Sequence, residues 1–121
     1  MQKISSLPLL VLVASSLLFS GCSSVPKPIG EIASAKTLIE SAETNEAGKY
    51  APVALDRAKT KLKRAQKAMI EEEYLEAKQL ADEAQADAKL ASVKANSARS
   101  EDAAKKMNDT VKGMAQELER K

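Results

Sequence analysis

Seven alanines recur at spacings of three and four residues in the second half of the chain, and this alanine ladder constrains the fold more than any other feature. Its members are Ala77, Ala81, Ala84, Ala88, Ala91, Ala95 and Ala98. Such spacing places the side chains on one face of an α-helix. Because helices approach according to the size of the side chains between them, an alanine face favours very close packing. The ladder therefore predicts an all-α protein built around a tight antiparallel helical hairpin.

Two earlier segments have the same spacing and supply further helices. A short first helix is predicted from Ile32, Ala35, Ile39 and Ala42, and it should end before Gly48 and Pro52. A second helix should begin near Pro52, because proline is favoured in the first turn. Its face consists of Leu55, Ala58, Leu62, Ala65 and Met69.

The boundary between the second and third helices is predicted near residues 70–73. Continuing the earlier register would bury Glu72 and Glu76, which a core does not favour. Charge placement agrees, since lysines crowd the end of the second helix and glutamates crowd the start of the third. The alternative to a hairpin is a single alanine-rich helix, broken or unbroken, or a disordered tail.

The third helix is expected to run to the end of the chain and to project beyond the others. Residues 74–121 would form a helix of about 70 Å, whereas each earlier helix would measure about 25–30 Å. The register slips across Ser97–Asp102 and resumes at Ala104. The resulting candidate partner seam has no intramolecular cover, which predicts self-association or docking of an envelope protein. It consists of Met107, Val111, Met114 and Leu118.

The first 21 residues have the pattern of a bacterial lipoprotein signal peptide. Lys3 precedes an apolar run that ends in Leu18-Phe19-Ser20-Gly21-Cys22. This predicts cleavage between Gly21 and Cys22, with lipid carried on the Cys22 thiol and amine. Phe19 stands where such motifs usually have leucine. An uncleaved membrane helix is the alternative, but the run is shorter than about 20 residues and contains Pro8.

The residues after Cys22 predict where the anchored protein lies. Ser23 replaces the aspartate that is the familiar inner-membrane retention signal, so the periplasmic face of the outer membrane is expected ahead of the inner membrane. Residues 22–30 contain Pro26 and Pro28 and read as an extended linker. The helical domain is then expected over 31–121.

The composition argues against several classes of function. The 19 basic and 17 acidic residues are interspersed, so no basic face suits nucleic acid. The chain has no histidine, its only cysteine is the predicted lipid site, and it lacks a Gly-rich phosphate loop. We therefore predict no enzymatic activity, no cofactor and no metal site. The acidic run Glu71–Glu73 could bind a divalent ion, but consecutive helical residues point in different directions, and a solvated helix start is the favoured interpretation. The row of Lys59, Lys63 and Lys67 could contact anionic lipid or glycan, but such a charge row is usually a solvated face.

Residues 30–100 resemble the family called domain of unknown function 4398. The resemblance lies in Tyr50-Ala51-Pro52, in Leu55, Arg57, Ala58, Lys61, Leu62 and Ala65, and in Tyr74, Ala77, Leu80, Ala81, Glu83 and Ala84. Such sequences tend to have Gly-Asp before the second tyrosine, where this chain has Glu72-Glu73. The resemblance implies a helical envelope lipoprotein and brings no catalytic residue.

The C-terminal Glu119-Arg120-Lys121 is similar to the end of Braun's lipoprotein, another acylated helix with an alanine seam. There the final lysine is joined to peptidoglycan. By analogy, Lys121 is a candidate for attachment to the cell wall, which makes a wall tether the alternative to an interaction scaffold.

Overall fold

The computed structural model describes residues 25–120, and these form four helices. They are α1 (Ile29–Thr44), α2 (Ala47–Tyr50), α3 (Pro52–Ile70) and α4 (Tyr74–Glu119). No strand occurs within 25–120, so the all-α prediction is confirmed. The predicted signal peptide (1–21), Cys22 and Lys121 lie outside the described residues.

Contacts between helices fix their directions. Arg64 of α3 pairs with Glu76, and Arg57 pairs with Asp87, so α3 and α4 are antiparallel. In contrast, Ser34 of α1 donates a hydrogen bond to Gln85, while Tyr50, which follows α1 in the chain, reaches Asp102. Helices α1 and α4 therefore run in the same direction and pack directly against each other, and α3 runs opposite to both. The predicted hairpin is confirmed, with α1 as its third member.

Alanine makes up most of the core. The first six members of the alanine ladder are fully buried, and Ala98 is half-buried. Ala58 and Ala65 of α3 and Ala35 and Ala42 of α1 are also completely buried. Few larger side chains accompany these alanines. Ile39, Leu55 and Leu80 are buried, and partly buried ones include Ile32, Leu38, Tyr50, Leu62 and Met69. The core is thus long, thin and poor in large apolar groups.

The break between α3 and α4 lies at Glu71–Glu73, where the charge pattern predicted it. The backbone N–H of Glu73 donates to the carbonyl of Ala68, and that of Glu72 donates to Met69. These two bonds form a Schellman motif, which satisfies carbonyls at a helix end. The motif requires a left-handed residue, and Glu72 takes that conformation at φ 61°.

The connection between α1 and α3 contains a separate one-turn helix that the sequence pattern does not indicate. Helix α1 ends at Thr44, and Glu46 adopts a left-handed φ of 61° before α2 begins. Ala47 of α2 is completely buried against the core. The turn thereby closes one end of the bundle, and Pro52 starts α3 as predicted.

The chain enters the bundle at the opposite end. Helix α1 begins at Ile29, two residues before the expected Glu31, and the preceding Pro28 is fully buried. Lys27 lies over the ring of Tyr74 at 5.5 Å, which places it beside the start of α4. The last residues of the predicted linker therefore pack against the bundle.

Candidate interaction surface

Helix α4 continues far beyond the helices that cover it. The last side-chain hydrogen bond from the bundle to α4 in the described chain is the one that the Tyr50 hydroxyl donates to Asp102 Oδ2, at 3.1 Å. Every residue from Arg99 to Arg120 is exposed. The helix is 46 residues long, or about 69 Å, so roughly its last third projects from the bundle. The predicted overhang is confirmed.

The candidate partner seam lies on this overhang and is open to solvent. The relative exposures are 71% for Met107, 58% for Val111, 61% for Met114 and 76% for Leu118. Monomeric proteins rarely leave a contiguous row of large apolar side chains uncovered. The role of these four residues as a binding surface stays a prediction.

The seam is not a continuation of the alanine ladder. Ala104 follows Ala95 by two and a half helical turns, so the two residues lie on opposite faces of α4. Traced backwards at spacings of three and four, the seam instead continues along the outer face of the bundle. We call this row the outward stripe; its members are Ala86, Leu90, Val93, Ser97, Ser100, Ala104, Met107, Val111, Met114 and Leu118.

The outward stripe contains no charged residue, although α4 is rich in charges on either side of it. All ten members are exposed, and Val93 is 63% exposed even beside the bundle. An outward helix face is normally polar and charged. Near Ser97–Asp102 the face of α4 that carries the alanine ladder stops packing against α1 and α3. Beyond this point the apolar periodicity of the sequence follows the outward stripe, which explains the slip in register.

A second feature, polar in contrast to the outward stripe, is an ion cluster between α3 and α4. Asp87, the buried charged residue of the described chain, pairs with Arg57 and with Lys61, whose Nζ lies 2.8 Å from Oδ2. Lys61 also lies 3.0 Å from Glu83. The cluster joins successive turns of two antiparallel helices and fixes their register.

Burial and pairing oppose each other at Asp87. Burial disfavours the charged carboxylate, but the hydrogen bond and charge of Lys61, with those of Arg57, outweigh it and lower the pKa of Asp87. The hydrogen bonds to Asp87 and Glu83 raise the pKa of Lys61. Both groups are therefore held in their charged forms, which suits a structural clamp rather than proton transfer.

The two tyrosines lie half-buried at opposite ends of the bundle. Tyr74 lies under the ammonium of Lys27 at the entry end, and the hydroxyl of Tyr50 accepts from Lys49 and donates to Asp102 at the overhang end. Each tyrosine therefore lies at one end of the bundle, where its contacts join neighbouring elements.

The other sequence-predicted residues are placed as follows. Gly21, Cys22 and Lys121 lie outside the described part of the chain, so their roles stay predictions. Between residues 25 and 120, no group of three acidic, histidine or cysteine side chains is arranged to hold a metal ion. Lys59 pairs with Glu43, and Lys67 lies 3.4 Å from Glu71.

None of the helices in the described range combines the length and apolar character that crossing a bilayer requires. Together, the α3–α4 hairpin, α1 and the projecting part of α4 define an elongated helical protein with an exposed row of apolar side chains on its longest helix.

A comparison with family models shows which protein family the chain belongs to. The model described as a domain of unknown function (DUF4398) matches residues 30–107, and no curated protein or solved structure matches the chain significantly. Because the match covers more than half of the 121 residues, the chain belongs to this family. The match includes nearly all of the bundle and ends at Met107, so Val111, Met114 and Leu118 lie beyond it.

Proposed function

We propose that the protein is a lipoprotein anchored at the periplasmic face of the outer membrane, where it acts as a non-catalytic interaction scaffold. The single observation that carries the scaffold role is the exposed seam of Met107, Val111, Met114 and Leu118 on a projecting helix. Flexible, polarisable methionines suit adaptable protein interfaces.

The anchor is supported by the sequence before the bundle. Residues 18–22 have the lipobox pattern, and lipid on Cys22 would be separated from Pro28 by only a few residues. Several acyl chains give stable membrane attachment, whereas one gives only reversible binding.

The directions of the helices support a scaffold whose binding surface lies far along the molecule from its anchor. The chain enters at the end of the bundle where α4 begins, and α4 projects from the other end. An anchor at Cys22 would therefore leave the seam at the far end of the molecule, tens of ångströms from the entry point.

The scaffold role is tested by truncation after Arg99. The truncated chain keeps the buried core but loses the seam. We expect chemical crosslinking in intact cells to give adducts of the full chain, and these should disappear on truncation. A full-length K105A/K106A variant, altered on the charged side of the same helix, is the matched control. Adducts that persist in the truncated chain would refute the role of the seam.

The anchor is tested by the intact mass of protein recovered from membranes. A mature chain beginning at Cys22 and carrying three acyl chains is expected, and Cys22→Ser should abolish both cleavage and acylation. Recovery of an unmodified chain beginning at Met1 would contradict the proposal.

A second candidate function is a wall tether through Lys121. It is favoured by the direction of α4, which carries the chain's last residues away from the entry end of the bundle. Digestion of purified peptidoglycan with a muramidase should then release the protein with a muropeptide on Lys121. Deleting Lys121 alone would abolish that adduct, whereas the scaffold role predicts free protein and unchanged crosslinking.

A further inference from the structure

We propose that the outward stripe binds a second copy of the same chain in the antiparallel direction, with residues 93–118 of the two copies side by side. This inference rests on the proposed interaction scaffold and names its partner. The two-fold axis passes between Lys105 and Lys106, so that Ala104 of each copy faces Met107 of the other.

The sizes of the side chains along the stripe favour this arrangement. The stripe is narrow at Ser97, Ser100 and Ala104 and becomes bulky from Met107 onward. Antiparallel overlap about this axis places each small residue opposite a large one. The facing pairs are Val93 with Leu118, Ser97 with Met114, Ser100 with Val111, and Ala104 with Met107, each formed twice by symmetry. Alternating large and small side chains across facing positions fills an interface without voids.

A parallel, in-register pair would pack less well. It would set Ser97 against Ser97 and Ser100 against Ser100, leaving a polar gap, and would then stack the methionines on each other. Extending that pair to Leu90 would also bring Lys89 close to Lys94 of the second copy, because positions flanking a parallel seam meet across it. Like charges at such positions disfavour the pairing.

The residues that flank the stripe are compatible with the antiparallel pair. On one side Lys94 would meet Ala115 and Glu101 would meet Asn108. On the other side Asn96 would meet Glu117 and Ala103 would meet Thr110. None of these four flanking pairs joins like charges, and the remaining charges, such as Lys105 and Asp109, lie on the outer side of the helix.

The bundle leaves room for the second copy. Helices α1 and α3 cover the alanine ladder, on the face of α4 opposite the outward stripe. The overlap of 93–118 is about 39 Å long and spans more than three heptads, the length at which a repeated seam indicates a coiled coil. The two bundles lie at opposite ends of the dimer, with the first residues of the two α4 helices about 95 Å apart. Two chains anchored at Cys22 in one membrane therefore form this dimer with its long axis along the membrane surface.

Disulfide crosslinking between two differently tagged full chains tests both the partner and the direction. One copy carries Ser97→Cys and the other Met114→Cys, and both are expressed together and oxidised in membranes. We expect a disulfide between these positions, identified by the mass of the joined peptides, which also recognises any bond at Cys22. The matched control pairs Lys105→Cys with Lys106→Cys, which lie at the same level but face away, and it should give at least tenfold less product.

Three results would overturn the inference. Disulfides of Ser97→Cys with itself would show a parallel pair, and a Ser97–Met114 yield no higher than the control would show no pairing along the stripe. Crosslinks from the seam to an envelope protein alone would leave the scaffold role intact and refute the second copy. Absence of acylation at Cys22 would instead refute the anchor and leave the dimer untouched.

A charge on the stripe provides an independent measurement on the purified full chain. Met107→Glu places a carboxylate near the axis and should weaken dimerisation at least tenfold in sedimentation equilibrium. Lys106→Glu, the neighbouring substitution on the outer side, should leave the dissociation constant within about twofold. Equal behaviour of the two variants would contradict the proposed interface.

Discussion

Asp87 is a charged residue buried beside the alanine core. It lies next to Ala88 of the ladder, on the side of α4 that faces α3, and both of its cationic partners come from α3. The attraction within a buried ion pair is largely offset by the loss of hydration, so its net contribution to the free energy of unfolding is small. Removing one partner is costly, however, because the other charge is then buried without a counter-ion, and the pair also fixes the register of the helices. In a core of methyl groups, which slide past each other easily, the ion cluster supplies directional contacts.

Replacing Asp87 should destabilise the bundle. Asp87→Ala removes the acceptor shared by Arg57 and Lys61, and the expected loss is about 1–3 kcal/mol at pH 7, below the range for fully buried pairs because both cations keep contact with water. Glu83→Ala, at a side chain 57% exposed, should cost less than about 1 kcal/mol. Urea unfolding followed by circular dichroism measures both. Equal losses would contradict the special role of Asp87.

The pH dependence of stability has a definite sign. The pKa of Asp87 is lower in the folded protein than in the unfolded chain, so its contribution is fully present above the ordinary carboxyl pKa of about 3.9. That contribution is lost as the pH falls through the lower, folded-state value. The difference in stability between the wild type and Asp87→Asn should therefore shrink as the pH falls from 5 towards 2, as measured by thermal unfolding.

The sequence contains part of the signal for this cluster. Arg57 and Lys61 are four residues apart, as are Glu83 and Asp87, so each pair lies on one helix face. What periodicity could not supply is the rotation and stagger of α3 against α4, which bring the two pairs together. Asp87 also adjoins a seam of alanines, a position where the hydrophobic pattern gives no warning of a buried charge.

At the scale of elements, the turn between α3 and α4 contains a local conflict. Glu72 takes the left-handed conformation that the Schellman motif needs, at φ 61°, although it carries a side chain. A left-handed residue with a Cβ costs roughly 1–2 kcal/mol, and glycine avoids that penalty. The Gly-Asp that similar sequences place before the second tyrosine fits this backbone requirement.

Glu72→Gly should therefore stabilise the protein by about 0.5–1 kcal/mol, the relief of strain being offset in part by the greater freedom of glycine in the unfolded chain. Glu71→Gly is the matched control, because Glu71 has an ordinary φ of −78° and glycine there should be neutral or destabilising. Differential scanning calorimetry of the two variants decides the point. A lower melting temperature for Glu72→Gly would contradict it.

The elements that sequence periodicity captured best are those whose faces meet a partner. All seven ladder alanines are buried or half-buried, and the break at Glu71–Glu73 lies where register and charge both placed it. The short helix α2 was not predicted, because one helical turn is too short to show a periodic pattern. The left-handed residue before it is Glu46, so no glycine marks the turn in the sequence. The upstream part of the outward stripe, from Ala86 to Ser100, was not predicted, because its alanine and serines differ little in hydrophobicity from the residues beside them.

At the scale of the whole molecule, the bundle and the overhang should differ sharply in local stability. The first six ladder alanines are buried, whereas no residue after Ala95 is fully buried in the described chain. Stability varies along a protein with buried contacts and the exposure of backbone hydrogen bonds. The monomer therefore consists of a cooperative unit with a helical extension that has little tertiary support.

Hydrogen exchange should resolve the two parts. In dilute monomer, amides of 77–95 are expected to exchange only through global unfolding, while amides of 104–118 should exchange at least a hundredfold faster through fraying of the helix. Dimerisation along the outward stripe should slow the second group as the concentration rises. Mass spectrometry of peptic fragments measures both, and uniform protection along α4 at low concentration would contradict the division.

The alanine core also determines how the fold responds to temperature. The heat capacity increment of unfolding arises mainly from apolar surface newly exposed to water, and a methyl-lined interface releases less of it than a core of leucine and phenylalanine. The heat capacity increment of unfolding should therefore be smaller than the usual value of roughly 12–15 cal/mol/K per residue. A small increment flattens the curve of free energy against temperature. The bundle should accordingly change little in stability between cold and warm surroundings, with cold denaturation displaced to still lower temperatures.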